Sequence, residues 1–181
     1  IAGWRPVEGM DIAEDILQVG QHHLLLAAHP GAHFEKALVC VASGEPGKDD
    51  VLFAGRLLRH LGAQAKLFTV LGRALKDDYQ RQRVERFVGG GVKSLEMFGV
   101  PTESEIRVGN PQSEIVEEIQ RGEFDLLVMG VPFPQKDGRI AISGLMEGVM
   151  KSAGNCSILI VRSHHSRNAV VHNSSELLLA V

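Results

Sequence analysis

Apolar positions along this chain alternate between two spacings. The runs "ALVCVAS" (37–43), "AKLFTV" (65–70), "FDLLVMG" (124–130) and "SILIV" (157–161) are short and nearly continuous, as in strands buried on both faces. "ESEIRV" (103–108) alternates apolar with polar, the pattern of a strand with one wet face. Between these runs the apolar residues fall three or four apart. Val51, Ala54, Leu58 and Leu61 form one stripe, which Asp49 or Asp50 can cap and Gly62 ends. Val84, Phe87, Val88, Val92 and Leu95 form a second within a long helical stretch from about 75 to 98, where Gly89, Gly90 and Gly91 predict a kink or break because each glycine costs a helix interior up to about 1 kcal/mol. Asn110 and Pro111 make an N-cap and first helical position ahead of Ile115, Val116 and Ile119. Ser143 can cap a helix that buries Leu145, Met146, Val149, Met150 and Ala153.

Strict alternation of strand and helix from residue 34 to 163 predicts a doubly wound five-stranded parallel sheet with helices on both faces and right-handed crossovers. In such sheets ligands sit beyond the carboxyl ends of the strands, at the switch in strand order. The segment "MGVPFPQKDGRIAISGLMEGV" (129–149) lies at that end and joins an apolar strand to a helix through Gly130, Gly138 and Gly144. The question it raises is whether it cradles phosphate.

Bulk properties narrow the classes. The 181 residues suit one α/β domain with an addition, and 44% hydrophobic with 23% charged content is that of a globular protein. A net charge of −3 and a pI near 6.3 speak against nucleic-acid binding, which needs clustered surplus Lys and Arg. Apolar runs such as "LLLAA" (24–28) are far short of the roughly 20 residues that span a bilayer, so no membrane insertion is expected. Cys40 and Cys156 stand singly in apolar runs and read as buried small hydrophobes of a reducing, cytoplasmic compartment. The chain starts at Ile1 with no signal-peptide pattern, and reads as cut from something longer.

Catalytic and metal chemistry find no support in the spacing. No Gly-x-Ser-x-Gly elbow is present, neither cysteine has a histidine near it in sequence, and Asp125 reads as a cap ahead of its strand. Pro30 and Gly31 prevent His29 and His33 from sharing a helix face, and His22, His23, His164, His165 and His172 show no ligand spacing. "GGG" (89–91) does not link a strand to a helix start and is no phosphate loop.

The run "VGNPQSEIVEEIQRGEFDLLVMG", then a loop, a glycine at a helix start and "NCSILIVR", resembles the universal stress protein family over residues 35 to 163. Gly109, Pro111, Ile115, Asp125, Leu126, Val128, Met129, Gly130, Gly144, Ala153 and Cys156 stand where that family's pattern wants them. The resemblance implies a regulatory domain that dimerises through its last strand. Its nucleotide-binding branch carries glycine, two residues, glycine, nine residues, then glycine with Ser or Thr, so that backbone N–H groups meet the phosphates. Here Gly130 matches the first position, Phe133 replaces the second glycine between Pro132 and Pro134, and Leu145 follows Gly144 where a hydroxyl is wanted, although Ser143 precedes it. That branch also has an Asp closing its first strand, and Ala42 stands there after Val41, with Ser43 and Gly44 in reversed order. Gly130, Gly144, Ser143, Val41 and Ala42 are therefore the residues of a degenerate nucleotide site. Lys136 and Arg139 could draw an anion to its loop. The expectation is no cofactor, with ATP as the alternative.

The ends add a further pattern. "GMDIAEDILQVGQHHLLLAAHPG" (9–31) repeats the layout of "GLMEGVMKSAGNCSILIVRSHHS" (144–166): glycine, amphipathic helix, turn, apolar strand. Residues 1–33 then form a helix-strand extension, the end of a preceding unit, with Ile12, Ala13, Ile16 and Leu17 buried and Leu24–Leu26 paired. Residues 34–163 form the main domain, and 164–181 a linker and short terminal strand. The readings for function are a non-catalytic regulatory module acting by homodimerisation or as the soluble part of a larger protein such as a transporter fusion, a nucleotide-binding signalling domain with altered loop chemistry, and, least supported, an adenylyl-transferring enzyme.

Overall fold

The computed structural model describes residues 6–19, 22–29, 31, 33–42, 45–72, 78–130 and 139–162. The loop positions Pro132, Phe133, Pro134 and Lys136, the reversed Ser43 and Gly44, and the linker and terminal strand of 164–181 lie outside these residues.

The elements run α1 (Pro6–Val19), β1 (Leu24–Leu26), β2 (Lys36–Cys40), α2 (Glu45–Leu61), β3 (Gln64–Leu71), α3 (Asp78–Met97), β4 (Thr102–Val108), α4 (Pro111–Gly122), β5 (Leu126–Gly130), α5 (Gly144–Ser152) and β6 (Ser157–Val161). They build a six-stranded sheet in the order β1-β6-β5-β2-β3-β4. Strands β2 to β6 are parallel, and β1 joins antiparallel to β6. The doubly wound five-stranded sheet is thus present with one strand added at its edge. Side chains alternate across it. Leu38, Cys40, Leu127, Met129, Ile158 and Ile160 pack with residues of α1, α4 and α5. Ala37, Val39, Leu126, Val128, Leu159 and Val161 pack with α2 and α3 on the other face.

Several local expectations stand. Asn110 Oδ1 accepts from Ser113 N ahead of Pro111, and Glu123 closes α4 in the left-handed region at φ 51. Asp125 accepts from the backbone N–H groups of Glu35 and Lys36, tying the start of β5 to β2, the capping role read from sequence.

Others are overturned by packing. The three glycines do not break α3, which runs unbroken from Asp78 to Met97. A Cβ on Gly91 would stand 2.6 Å from Leu67 Cδ2, so the absent side chain lets the helix settle on the sheet and its burial offsets the glycine cost. Asp49 and Asp50 are not caps, since α2 already starts at Glu45. The last strand, through which the resemblance implies dimerisation, does not lie at the sheet edge, because Ile158, Leu159 and Ile160 pair with Leu26, Leu25 and Leu24, the pairing expected of that segment. Within α1, Ala13 and Leu17 are buried but Ile12 and Ile16 are 62% and 39% exposed, because the helix contacts α5 along one side only.

The far edge of the sheet is held by charge. Glu118 on α4 is 2% exposed and binds Lys66 of β3 at 2.7 Å, Arg121 at 2.5 Å and Arg107 of β4. Burial opposes the charged form of Lys66, yet hydrogen bonds with Glu105 and Glu118 outweigh it and raise its pKa. Burial also works against the Glu105 carboxylate, but Lys66 and Arg107 hold its pKa below the ordinary value. A carboxylate this buried survives only because its oxygens are all engaged by cations.

Candidate functional site

Strand order reverses between β2 and β5, so the crevice beyond their carboxyl ends is the place for a ligand. The ladder sets Val39 beside Val128, and the same offset brings Val41 level with Gly130. Val41 is fixed there: its N–H donates to Phe68 O at 3.1 Å and its carbonyl accepts from Thr69 Oγ1. Its backbone donor is therefore spent inside the sheet. Ala42 follows it, is exposed and has no polar side chain.

A carboxylate nevertheless reaches this point, from a helix rather than a strand. Asp50 of α2 is 6% exposed, and its Oδ1 has no hydrogen-bond partner. A Cβ on Gly130 would lie 2.5 Å from Asp50 Oδ2, so the glycine makes room for the carboxylate against the end of β5. Burial, then the neighbouring charge of Asp49, push the Asp50 carboxyl up to about 7.

The approach to α5 is occupied by the chain itself. Ile140 N donates to Gln18 Oε1 at 2.9 Å, and Ile142 N to Glu14 Oε1 at 2.5 Å. Both acceptors come from α1 and dock on backbone donors of the segment just ahead of α5. Ser143 precedes α5 in extended conformation (φ −140, ψ 170) and makes no side-chain cap hydrogen bond. Gly144 takes a left-handed φ of 57, a conformation that favours glycine, and both residues are exposed. Of the residues read from sequence, Val41, Ala42 and Gly130 meet at the switch point, while Ser143 and Gly144 open α5. Sequence reading missed Asp50, Glu14 and Gln18. For Asp50 a signal existed, a carboxylate next to Val51 and so on the verge of the buried stripe, but position alone equally suits a cap. For Glu14 there was none, since the contact spans 128 residues of sequence.

The other titratable groups are structural. Cys40 and Cys156 are free and buried. Burial raises both thiols, Cys156 to about 12 with the Asp125 charge adding to it, so neither is a nucleophile at neutral pH. The His23 ring stacks on Phe53 at 3.8 Å and its Nδ1 accepts from Arg162 N, while Arg162 Nη2 donates to Leu17 O. These contacts fasten the N-terminal extension. Among the described residues no group of three or more His, Cys, Asp or Glu side chains is placed to hold a metal ion. No described helix is long and apolar enough to cross a membrane.

No known protein-family model matches the chain. A 70-residue segment is 36% identical to a universal stress protein of Methanocaldococcus jannaschii, covering 39% of this chain and 41% of that one. The match thus spans less than half of the curated relative. Among solved structures the chain is similar to a universal stress protein from Archaeoglobus fulgidus, with a TM-score of 0.60 and 16% identity over 71% of this chain and 98% of that one. It is similar to a universal stress protein in complex with cAMP, with a TM-score of 0.57 and 20% identity over 71% and 97%. A longer Archaeoglobus fulgidus universal stress protein matches 88% of this chain with 57% of its own length, at a TM-score of 0.58 and 13% identity. At these identities the structures establish the fold.

Proposed function

We propose that this universal stress protein-like α/β domain is a non-catalytic regulatory module that acts through protein association and holds no nucleoside triphosphate. The observation that carries this reading is the double use of the N-terminal extension. β1 covers the strand through which a second sheet would pair, and Glu14 and Gln18 take the backbone donors ahead of α5. A triphosphate would have to displace a carboxylate of the same charge sign before it met those donors. Free buried thiols suit a cytoplasmic setting.

The tandem reading draws support from the same elements. Four residues (20–23 and 153–156) join helix to strand in both α1–β1 and α5–β6, and the two strands pair antiparallel, the relation a local two-fold axis produces. The extension then stands in for a partner subunit's last helix and strand. Association moves outward to the exposed apolar residues of that edge, Ile12, Ile16 and Val19 on α1 and Leu25 on β1. We assign homodimerisation to this edge rather than to the last strand, and the same edge would receive a preceding unit or a fused protein such as a transporter. Light scattering at micromolar concentration tests it: a dimer is expected, with the Ile12→Ser/Ile16→Ser variant monomeric and folded. A wild-type monomer would sink the homodimer.

A second reading, binding of a nucleoside or nucleotide at the β2–β5 switch point, is favoured by Gly130 and the unpartnered Asp50 there. The structural relative in complex with cAMP supports it. Native mass spectrometry of freshly purified protein is its test.

A further inference from the structure

We propose that the groove between α2 and α3 binds a medium-chain fatty acid, with its alkyl chain along the helices and its carboxylate between Lys48 and Arg86. This site goes beyond the readings above. It lies over β3, on the face of the sheet opposite α1 and α5, and draws on no residue of the strand-order switch or of the edge assigned to association.

The groove has a volume of about 280 Å³. Val51 and Leu52 of α2 line one side, and Phe87, Gly90 and Gly91 of α3 the other. Leu52 is 39% exposed, so apolar surface is left uncovered at the mouth. The two glycines differ in what they do. Gly91 is buried where its missing side chain lets α3 settle on Leu67, so it serves packing. Gly90 has no such role, because nothing lies within 4 Å of a Cβ placed there, and a glycine inside a helix is destabilising relative to alanine. Its bare backbone keeps open a space that a helix-favouring residue would narrow.

Charge sets the orientation of the occupant. Helices α2 and α3 each return from the carboxyl end of one parallel strand to the start of the next, so they run in the same direction. Lys48 and Arg86 are the first lining residues of the two helices, which puts a cation on each side of the same end of the groove. Among the described lining residues none is acidic, in a chain whose net charge is −3. Arg86 Nε donates to Gln82 O one turn back, an intrahelical bond that leaves the terminal nitrogens for a ligand. Their planar fork matches a carboxylate. Toward the other end Ser94 Oγ donates to Gly90 O, so its hydrogen is spent inside the helix. The slot is therefore cationic at one end and apolar along the rest. From Phe87 to Ser94 its wall covers roughly 10 Å at 1.5 Å per residue, a length that suits an extended alkyl chain. The volume stands at the foot of the range of about 300–1,000 Å³ for small-molecule sites, too small for a cofactor. A nucleotide, polar along its length, would leave the apolar walls unmatched.

The test is calorimetric titration of the full chain with octanoate as the probe, and with octanol, octyltrimethylammonium and acetate as controls. Octanoate is expected to bind with a submillimolar dissociation constant, at least tenfold more tightly than octanol or acetate, and the ammonium compound not at all. Gly90→Leu, which fills the groove, should weaken octanoate at least tenfold while melting no lower than wild type. Lys48→Ser/Arg86→Ser should bind octanoate no better than octanol. Both of these side chains are exposed, so the double variant keeps its fold and carries the test by itself should Gly90→Leu unfold. The proposal is overturned if octanol binds the wild type as tightly as octanoate, if folded Gly90→Leu binds octanoate unchanged, or if the double variant keeps its preference for the anion. Absence of octanoate binding at millimolar concentration overturns it as well.

Discussion

Leu25 of the N-terminal extension stands opposite Leu159 in an antiparallel ladder, which turns the last parallel strand into an interior one. Helix α1, which precedes β1, lies on the face of the sheet that α5 covers, where Ala13 and Leu17 are 1% and 0% exposed in the core shared with α5. A helix-strand pair this short has no core of its own, so its order depends on the main domain and the domain's edge depends on it.

Deleting residues 1–30 should therefore lower stability by several kcal/mol, from lost apolar burial at about 25 cal/mol per Å² and from an opened strand edge. Urea unfolding would show a lower midpoint, and light scattering a rise in self-association as β6 is exposed. An unchanged midpoint would refute the docking.

The buried carboxylate at the other edge is the most charge-dependent point of the fold. Glu118→Ala removes the shared partner of Lys66, Arg107 and Arg121 and should cost about 3–5 kcal/mol, because three cations lose their common anion. By contrast Glu147→Ala, whose exposed pair with Lys151 lies on α5, should cost at most about 0.5 kcal/mol. Equal effects of the two variants in thermal unfolding would contradict the assignment.

The triplet of glycines in α3 should respond unequally. Nothing lies within 4 Å of a Cβ on Gly90, so Gly90→Ala is expected to stabilise by about 0.5–1 kcal/mol through helix propensity. Gly91→Ala drives its methyl against Leu67 and should destabilise by about 1–3 kcal/mol. Chemical denaturation of the pair gives opposite signs if the helix is continuous as described.

Asp50 sets a pH dependence with a defined sign. Its carboxyl pKa is raised from 3.8 to about 7, so between those values the folded state keeps a proton that the unfolded state has released. The contribution of this group to stability therefore falls as pH rises from about 4 to 7 and stays low above. Asp50→Asn removes the slope, and its advantage over wild type should grow by at least about 1 kcal/mol between pH 5 and pH 8. Parallel stability curves for the two proteins would show that the carboxyl is not perturbed.

Mg-ATP should give no measurable melting shift at millimolar concentration. Binding of the folded state alone at 100 times the dissociation constant would add about 2.7 kcal/mol, a shift easily seen. Such a shift would overturn the reading that the donors ahead of α5 are unavailable to a triphosphate.

The sequence by itself determined the elements and their order, because each is written in a local code. The runs at 37–43, 65–70, 124–130 and 157–161 and the stripes between them are short-range patterns of burial, and Asn110 and Pro111 act on their own helix start through local capping and backbone preference. Even the repeated layout of 9–31 and 144–166 was legible, as a spacing. What only the tertiary structure decided are the contacts between segments far apart in the chain. The pairing of Leu24–Leu26 on β6, the seat of Gly91 on Leu67, the reach of Glu14 to Ile142 and the position of Asp50 under Gly130 join residues that no local period relates. Their outcome depends on which surfaces remain uncovered once the five parallel strands have assembled. A strand edge or backbone donor left over by the main domain is filled by whatever part of the chain can reach it, and reach is a property of the folded geometry.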